Sequence, residues 1–194
     1  MEGFEVLSRG AMAYFESGVD FMNTIRLLPS GSPTTGAKTV AGGGPAATFV
    51  TPSLVTFPAP DGTVLHAQLF EPTAGVGGPS TAAGKRPAVL FTHGGCQRQM
   101  YAAMHYAYDY ASLYAQNQYL VSQGFVVLSV NYRGGVGYGV KFRAAANSGW
   151  EGASEYQDVL AGGRYLAALP GVDASRVGAY GARQACVQND GMAF

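Results

Sequence analysis

Charge is scarce in this sequence. Asp, Glu, Lys and Arg together make up 12% of the residues, about half of the roughly 25% usual in a soluble domain. Two readings fit: a surface largely covered by other protein, or an Ala/Gly-rich bias in the underlying genome. Twelve basic and twelve acidic residues cancel, so no electrostatic footprint for nucleic acid or an anionic membrane is present. Cysteine is nearly absent. Cys96 and Cys186 make neither a disulfide framework nor a zinc spacing, and neither a metal nor another cofactor is expected. No apolar run reaches the about eighteen residues that a membrane-crossing helix needs. The N-terminus, Met1-Glu2-Gly3-Phe4-Glu5, is acidic where a signal peptide is basic, which leaves the cytoplasm as the default expectation. Histidine occurs three times, and none follows His105.

Glycine, by contrast, is abundant, with 28 residues among 194, and its placement divides the chain. Residues 1–50 carry the weakest signal. Phe4 to Phe15 has an apolar spacing that fits a short helix or a strand remnant, and Pro29 to Pro45 is mostly Gly, Ser, Thr, Pro and Ala, the composition of a flexible linker. The expected organisation is a poorly ordered segment over 1–50 and one folded domain over 51–194. Leu54–Phe57 and Thr63–Phe70 flank Asp61-Gly62 and predict a hairpin. Pro87 to Phe91 is a continuous apolar run, as in a strand buried on both faces. The tyrosine-rich stretch from Tyr106 to Ser122 has helical spacing and Gly124 as a C-terminal cap. Phe125 to Val130 is a second buried strand. Ser154 to Leu169 is a helix with Ser154 as N-cap and Pro170 past its end, and Arg176 to Tyr180 is a last strand. Strand, helix, strand, helix, strand predicts an α/β fold with parallel pairing.

Two places on this frame bear on chemistry. His93-Gly94-Gly95 follows the first buried strand. Acyl transfer needs backbone N–H donors aimed at a developing oxyanion, and glycines allow close approach, so these three are the oxyanion-hole candidates. The last strand runs into Gly181-x-Arg183-x-Ala185. Gly181 and Ala185 keep the frame of a Gly-x-Ser-x-Gly nucleophile elbow, but its centre is Arg183. A guanidinium stays protonated and offers no lone pair to a carbonyl. The glycine-rich run Asn131 to Gly139 lacks the Lys-Ser/Thr pair of a phosphate loop and reads as structural. His66 and His105 read as packing or surface residues, Cys186 as an unactivated thiol, and Glu155 and Asp158 as surface residues or an intradomain ion pair.

The strings Pro87–Gly95, Asn117-Gln118-Tyr119-Leu120, Val127–Arg133, Gly137-Tyr138-Gly139 and Gly152–Tyr156 with Asp158-Val159 together closely resemble the prolyl oligopeptidase family of serine peptidases, in its dipeptidyl-peptidase IV-like branch. The resemblance runs from about Leu54 to Gly181. It implies the N-terminal half of an α/β-hydrolase sheet with flanking helices, incomplete at its C-terminus, and a parent enzyme that carries a β-propeller and acts on peptides. It puts part of the oxyanion hole at His93-Gly94-Gly95 and the nucleophilic serine at position 183. The acid and histidine of the family lie beyond the elbow and have no counterpart here. One slipped nucleotide turns Gly-Gly-Ser codons into Gly-Ala-Arg, so a frameshift or splicing change after Gly181 is expected. As written, the chain is expected to be inactive, with Val177–Tyr180 as an apolar sheet edge. The alternatives are a non-catalytic interaction module derived from the same domain and a small esterase.

Overall fold

The computed structural model describes residues 3–21, 24–42, 49–78, 84–95, 97–148 and 154–181. The chain divides into two compact units, Met1–Phe49 with Ala103–Ala115, and Val50–Ala102 with Gln116–Phe194.

In the first unit four strands pair in sequence order: β1 (Phe4–Val6), β2 (Met12–Glu16), β3 (Thr24–Leu28) and β4 (Lys38–Ala41). All three pairings are antiparallel. Strands thus occupy part of 4–41, where a poorly ordered segment and a linker over 29–45 were expected, and residues 43–45 of that linker lie outside the described residues. Arg26 donates to Thr39 Oγ1 at 2.8 Å and pairs with Glu16 at 3.1 Å, so polar side chains reinforce the ladder from outside. Every residue of β4 is exposed. An edge strand with no buried residue leaves no alternation of apolar residues to read. The same unit holds Tyr114, whose hydroxyl donates to the Val19 carbonyl at 3.1 Å.

The second unit is built on a five-stranded mixed sheet. Its strands are β5 (Ser53–Pro58), β6 (Val64–Phe70), β7 (Arg86–Thr92), β8 (Val126–Asn131) and β9 (Val172–Gly181), in the order β5-β6-β8-β7-β9. β5 and β6 form the predicted hairpin, with Pro58 opposite Val64. β6 runs antiparallel to β8, while β7 is parallel to both β8 and β9. Among the described residues there are three α-helices: α1 (Tyr108–Ser122), whose residues are shared between the units, the short α2 (Val140–Arg143), and α3 (Ser154–Ala168). Ser154 is the first helical residue rather than the cap. Among the described residues β9 lies at the sheet edge.

Strand alternation assigns one sheet face to α3. Leu65, Ala67 and Leu69 of β6, Leu90 of β7, and Leu128 and Val130 of β8 form one core with Val159, Ala161 and Leu166 of the helix. Removing such side chains from water stabilises by about 1.5–3 kcal/mol each. Close packing explains Gly162 on α3: a Cβ there would lie 2.8 Å from Val130 Cγ2. The opposite face is more polar, with buried Gln68, Ser129 and Asn131 beside Phe70 and Phe91.

Candidate active site

Parallel strands present their C-terminal ends on one side, where open α/β sheets bind ligands. In the register of β7 and β9, Thr92 lies level with Gly181. The His93-Gly94-Gly95 motif therefore leaves the sheet beside the point where β9 ends. Arg183 and Ala185 of the elbow frame, and Cys186, lie outside the described residues, as does Cys96.

His93 is fully buried. Its ring stacks on Tyr132, with centroids 4.4 Å apart and planes at 16°, and its backbone carbonyl accepts the Tyr132 hydroxyl at 2.7 Å. Gly94 is also buried, whereas Gly95 is exposed and adopts φ 74°. That left-handed backbone favours glycine. Downstream, the Met100 N–H donates to Asn131 Oδ1 at 2.8 Å, and the Met100 carbonyl accepts Asn131 Nδ2 and Gln68 Nε2, each at 3.0 Å. Asn131 Nδ2 also donates to the Tyr138 hydroxyl at 2.8 Å. Val136 N–H donates to the Arg98 carbonyl at 3.2 Å. Gly135 makes that approach possible, since a Cβ there would lie 2.7 Å from the same oxygen.

Behind this loop Arg133 joins three elements. Its backbone N–H donates to Asp158 Oδ2 at 2.8 Å, its Nη2 donates to Asp158 Oδ1 at 2.6 Å, and its Nη1 pairs with Asp61 in the β5–β6 turn. Asp158 is completely buried, so of the two readings open for it the ion pair holds. Glu155 is likewise buried, which corrects its surface reading, because α3 turns this face inward. Burial pushes the Asp158 carboxyl up, and the bonds from Arg133 oppose that. Asp158 in turn holds the Arg133 guanidinium above its ordinary pKa. The Asp61 carboxyl is drawn down to about 2, first by the Thr63 N–H and then by Arg133. Next to the end of β9, burial pushes the Tyr180 hydroxyl up, and it donates to Asn117 Oδ1 at 2.6 Å.

The remaining histidines are packing residues. His66 stacks on Tyr138 with centroids 4.2 Å apart, and His105 Nδ1 accepts the Ala107 N–H at 3.0 Å. Among the described residues no group of His, Cys, Asp and Glu is arranged to hold a metal, and no helix is long and apolar enough to cross a membrane. A cavity of about 340 Å³ lies beside the motif's downstream segment, lined in part by His66, Gln68, Gln99 and Met100. A larger concavity of about 480 Å³ between β5 and α3, around Phe57 and Tyr165, shares no residue with the motif. The roles of Asn131, Tyr132 and Asn117 were not read from the sequence. Their partners are remote in the chain, and only the occurrence of these residues within the resembling strings marked them.

A mixed sheet with a glycine motif at the end of one parallel strand is the arrangement of an α/β-hydrolase-type domain. Residues 111–182 match the family model described as the prolyl oligopeptidase family. Over 66 residues the chain is 41% identical to dipeptidyl aminopeptidase BIII of Pseudoxanthomonas mexicana, a stretch of 34% of this chain and 8% of that protein. The crystal structure of puromycin hydrolase superposes with a TM-score of 0.70 at 26% identity, covering 90% of this chain and 25% of that one. The acylaminoacyl peptidase of Pyrococcus horikoshii shares the fold, with a TM-score of 0.64 at 23% identity over 93% of this chain and 26% of its own. Over residues 111–182 the chain is thus similar to the prolyl oligopeptidase family, and it spans about a quarter of the length of the solved structures it matches.

Proposed function

We propose that this chain is a segment of a serine peptidase of the post-proline or dipeptidyl-peptidase class, and that it supplies the oxyanion side of the active site. In this reading the donors are the N–H groups of Gly94 and Gly95, since the His93 ring is sealed against Tyr132. The observation that supports it is the register of Thr92 with Gly181, which sets the glycine motif beside the end of β9, two positions before residue 183 in the sequence. The attacking oxygen of the family belongs at 183, where this sequence has arginine. Serine, histidine and acid act as a unit, and these 194 residues include no histidine after His105. The parent enzyme is further proposed to carry a β-propeller. The support for it is the sequential four-stranded pairing over Phe4–Ala41, the pattern of a propeller blade.

The test is covalent labelling by a fluorophosphonate probe, together with turnover of a proline-containing dipeptide chromogenic substrate. The purified 194-residue chain is expected to show neither. The protein read in a frame that restores Ser-x-Gly-Gly after Gly181 is expected to show both. Labelling of the folded 194-residue chain at a single site would overturn the reading.

A further inference from the structure

We propose that Asn131 and Tyr132 are positioning residues for Gly94 and Gly95, clamping both ends of the segment that carries them. The proposal rests on the reading of these glycines as oxyanion donors, and adds what holds them in place. An oxyanion hole acts through donors already set at about 2.7–3.1 Å from the developing charge. Two consecutive glycines are poorly suited to that by themselves, because their backbone has the widest conformational freedom of any residue. The segment must therefore be restrained from outside.

Asn131 is the last residue of β8 and Tyr132 follows it directly, and successive side chains of an extended chain point in opposite directions. One consequently reaches the upstream end of the segment and the other its downstream end. Tyr132 holds His93 by a hydroxyl-to-carbonyl bond of 2.7 Å and by ring stacking. Asn131 accepts the Met100 N–H at 2.8 Å and donates to the Met100 carbonyl at 3.0 Å. A single carboxamide thus does for Met100 what a neighbouring strand would do. Both residues are wholly buried, where hydrogen bonds are electrostatically stronger than in water. The chain uses the same device elsewhere: Gln118 accepts the Val50 N–H at 3.0 Å and donates to the Val50 carbonyl at 2.8 Å.

The chemistry of the carboxamide supplies a discriminating variant. In Asn131→Asp, an ionised carboxylate still accepts the Met100 N–H but cannot donate, whereas a protonated carboxyl accepts and donates once. The clamp should therefore work at low pH and fail as the new carboxyl ionises. A residue that merely fills space would give no such dependence at Gly94 and Gly95.

The experiment uses the whole 194-residue chain, ¹⁵N-labelled, reading amide shifts and hydrogen exchange at Gly94, Gly95 and Met100, with Leu65 in β6 as reference. Asn131→Leu is expected to speed exchange at Met100 about tenfold, the size of one lost hydrogen bond, and to move the Gly94 and Gly95 resonances. Tyr132→Phe, which keeps the stacked ring, is expected to move Gly94 and Gly95 while Leu65 stays. Asn131→Asp is expected to match the parent chain at low pH and the Asn131→Leu pattern at high pH. If Asn131→Leu fails to fold, the other two variants decide. Gly94 and Gly95 unmoved by Tyr132→Phe and by Asn131→Asp at every pH would overturn the clamp. Failure of the underlying oxyanion reading looks different: the amides respond as described, yet in the in-frame parent the same variants leave kcat unchanged.

Discussion

Removing the Asp158 carboxylate is expected to cost about 3–5 kcal/mol, and removing Asp61 no more than about 1, although both meet the same guanidinium. The contrast comes from burial. The side chains of Asp158 and Arg133 are 0% and 8% exposed, against 53% for Asp61. Asp158 accepts the Arg133 backbone N–H at 2.8 Å, Nε at 2.9 and 3.0 Å and Nη2 at 2.6 Å. In Asp158→Ala these donors lose their acceptor where little water reaches them, which is the situation in which breaking a buried pair is most costly. In Asp61→Ala the guanidinium keeps Asp158, and what is lost is an exposed pair screened by solvent. Urea unfolding at pH 7, followed by far-UV circular dichroism, measures the difference. With a slope of about 2 kcal/mol/M, a loss of 4 kcal/mol moves the midpoint down by about 2 M. The Asp61 variant should move it by about 0.5 M or less. The double variant Arg133→Met with Asp158→Leu should recover most of the loss, since a packed apolar pair replaces a buried ionic one at little cost. Equal midpoint shifts for the two aspartate variants would refute the reasoning, because burial would then not set the energy of the network.

Acidification should weaken the fold between about pH 4 and pH 2. Asp61 and Asp173 are both drawn down to about 2, the first chiefly by the Thr63 N–H and the second chiefly by the Ser175 hydroxyl. Below about pH 4 the unfolded chain binds protons these native carboxylates refuse, so their stabilisation is full above that pH and fades on descent. Asp158, pushed up by burial, works in the opposite direction. Asp61→Asn should flatten the acid limb of the urea midpoint, and an unchanged limb would count against the assignment. Gly162→Ala gains about 1 kcal/mol of helix propensity, but its methyl would lie 2.8 Å from Val130 Cγ2 and 3.2 Å from Leu90 Cδ1. Overpacking of about 1–3 kcal/mol should win. The thermal midpoint is therefore expected to fall, and a rise would show that α3 has room to move off the sheet.

Much of the second unit was legible in the chain. The apolar runs at Pro87–Phe91 and Phe125–Val130 became β7 and β8, the Asp61-Gly62 turn joins β5 and β6, and both long helices fall within two residues of their expected bounds. The first unit was not legible, because β4 is exposed along its whole length and its Gly/Ser/Thr-rich approach carries no periodicity. The strand order β5-β6-β8-β7-β9 was equally out of reach, since pairing joins segments with no local mark of each other. At the candidate site, His93-Gly94-Gly95 stood out by composition alone. The residues that hold the motif did not, since asparagine and tyrosine at the end of a strand are unremarkable until their partners are known.

Alternation, turn residues and end caps depend on neighbours a few positions away, and so the sequence by itself determined which stretches of the second unit are strand or helix. It also determined that position 183 bears a permanent charge. The tertiary structure alone decided that Arg133 meets Asp158 across 25 residues, Met100 meets Asn131 across 31 and His93 meets Tyr132 across 39. Such bonds form only once the sheet has closed off water around them, and no local property of either partner records the other.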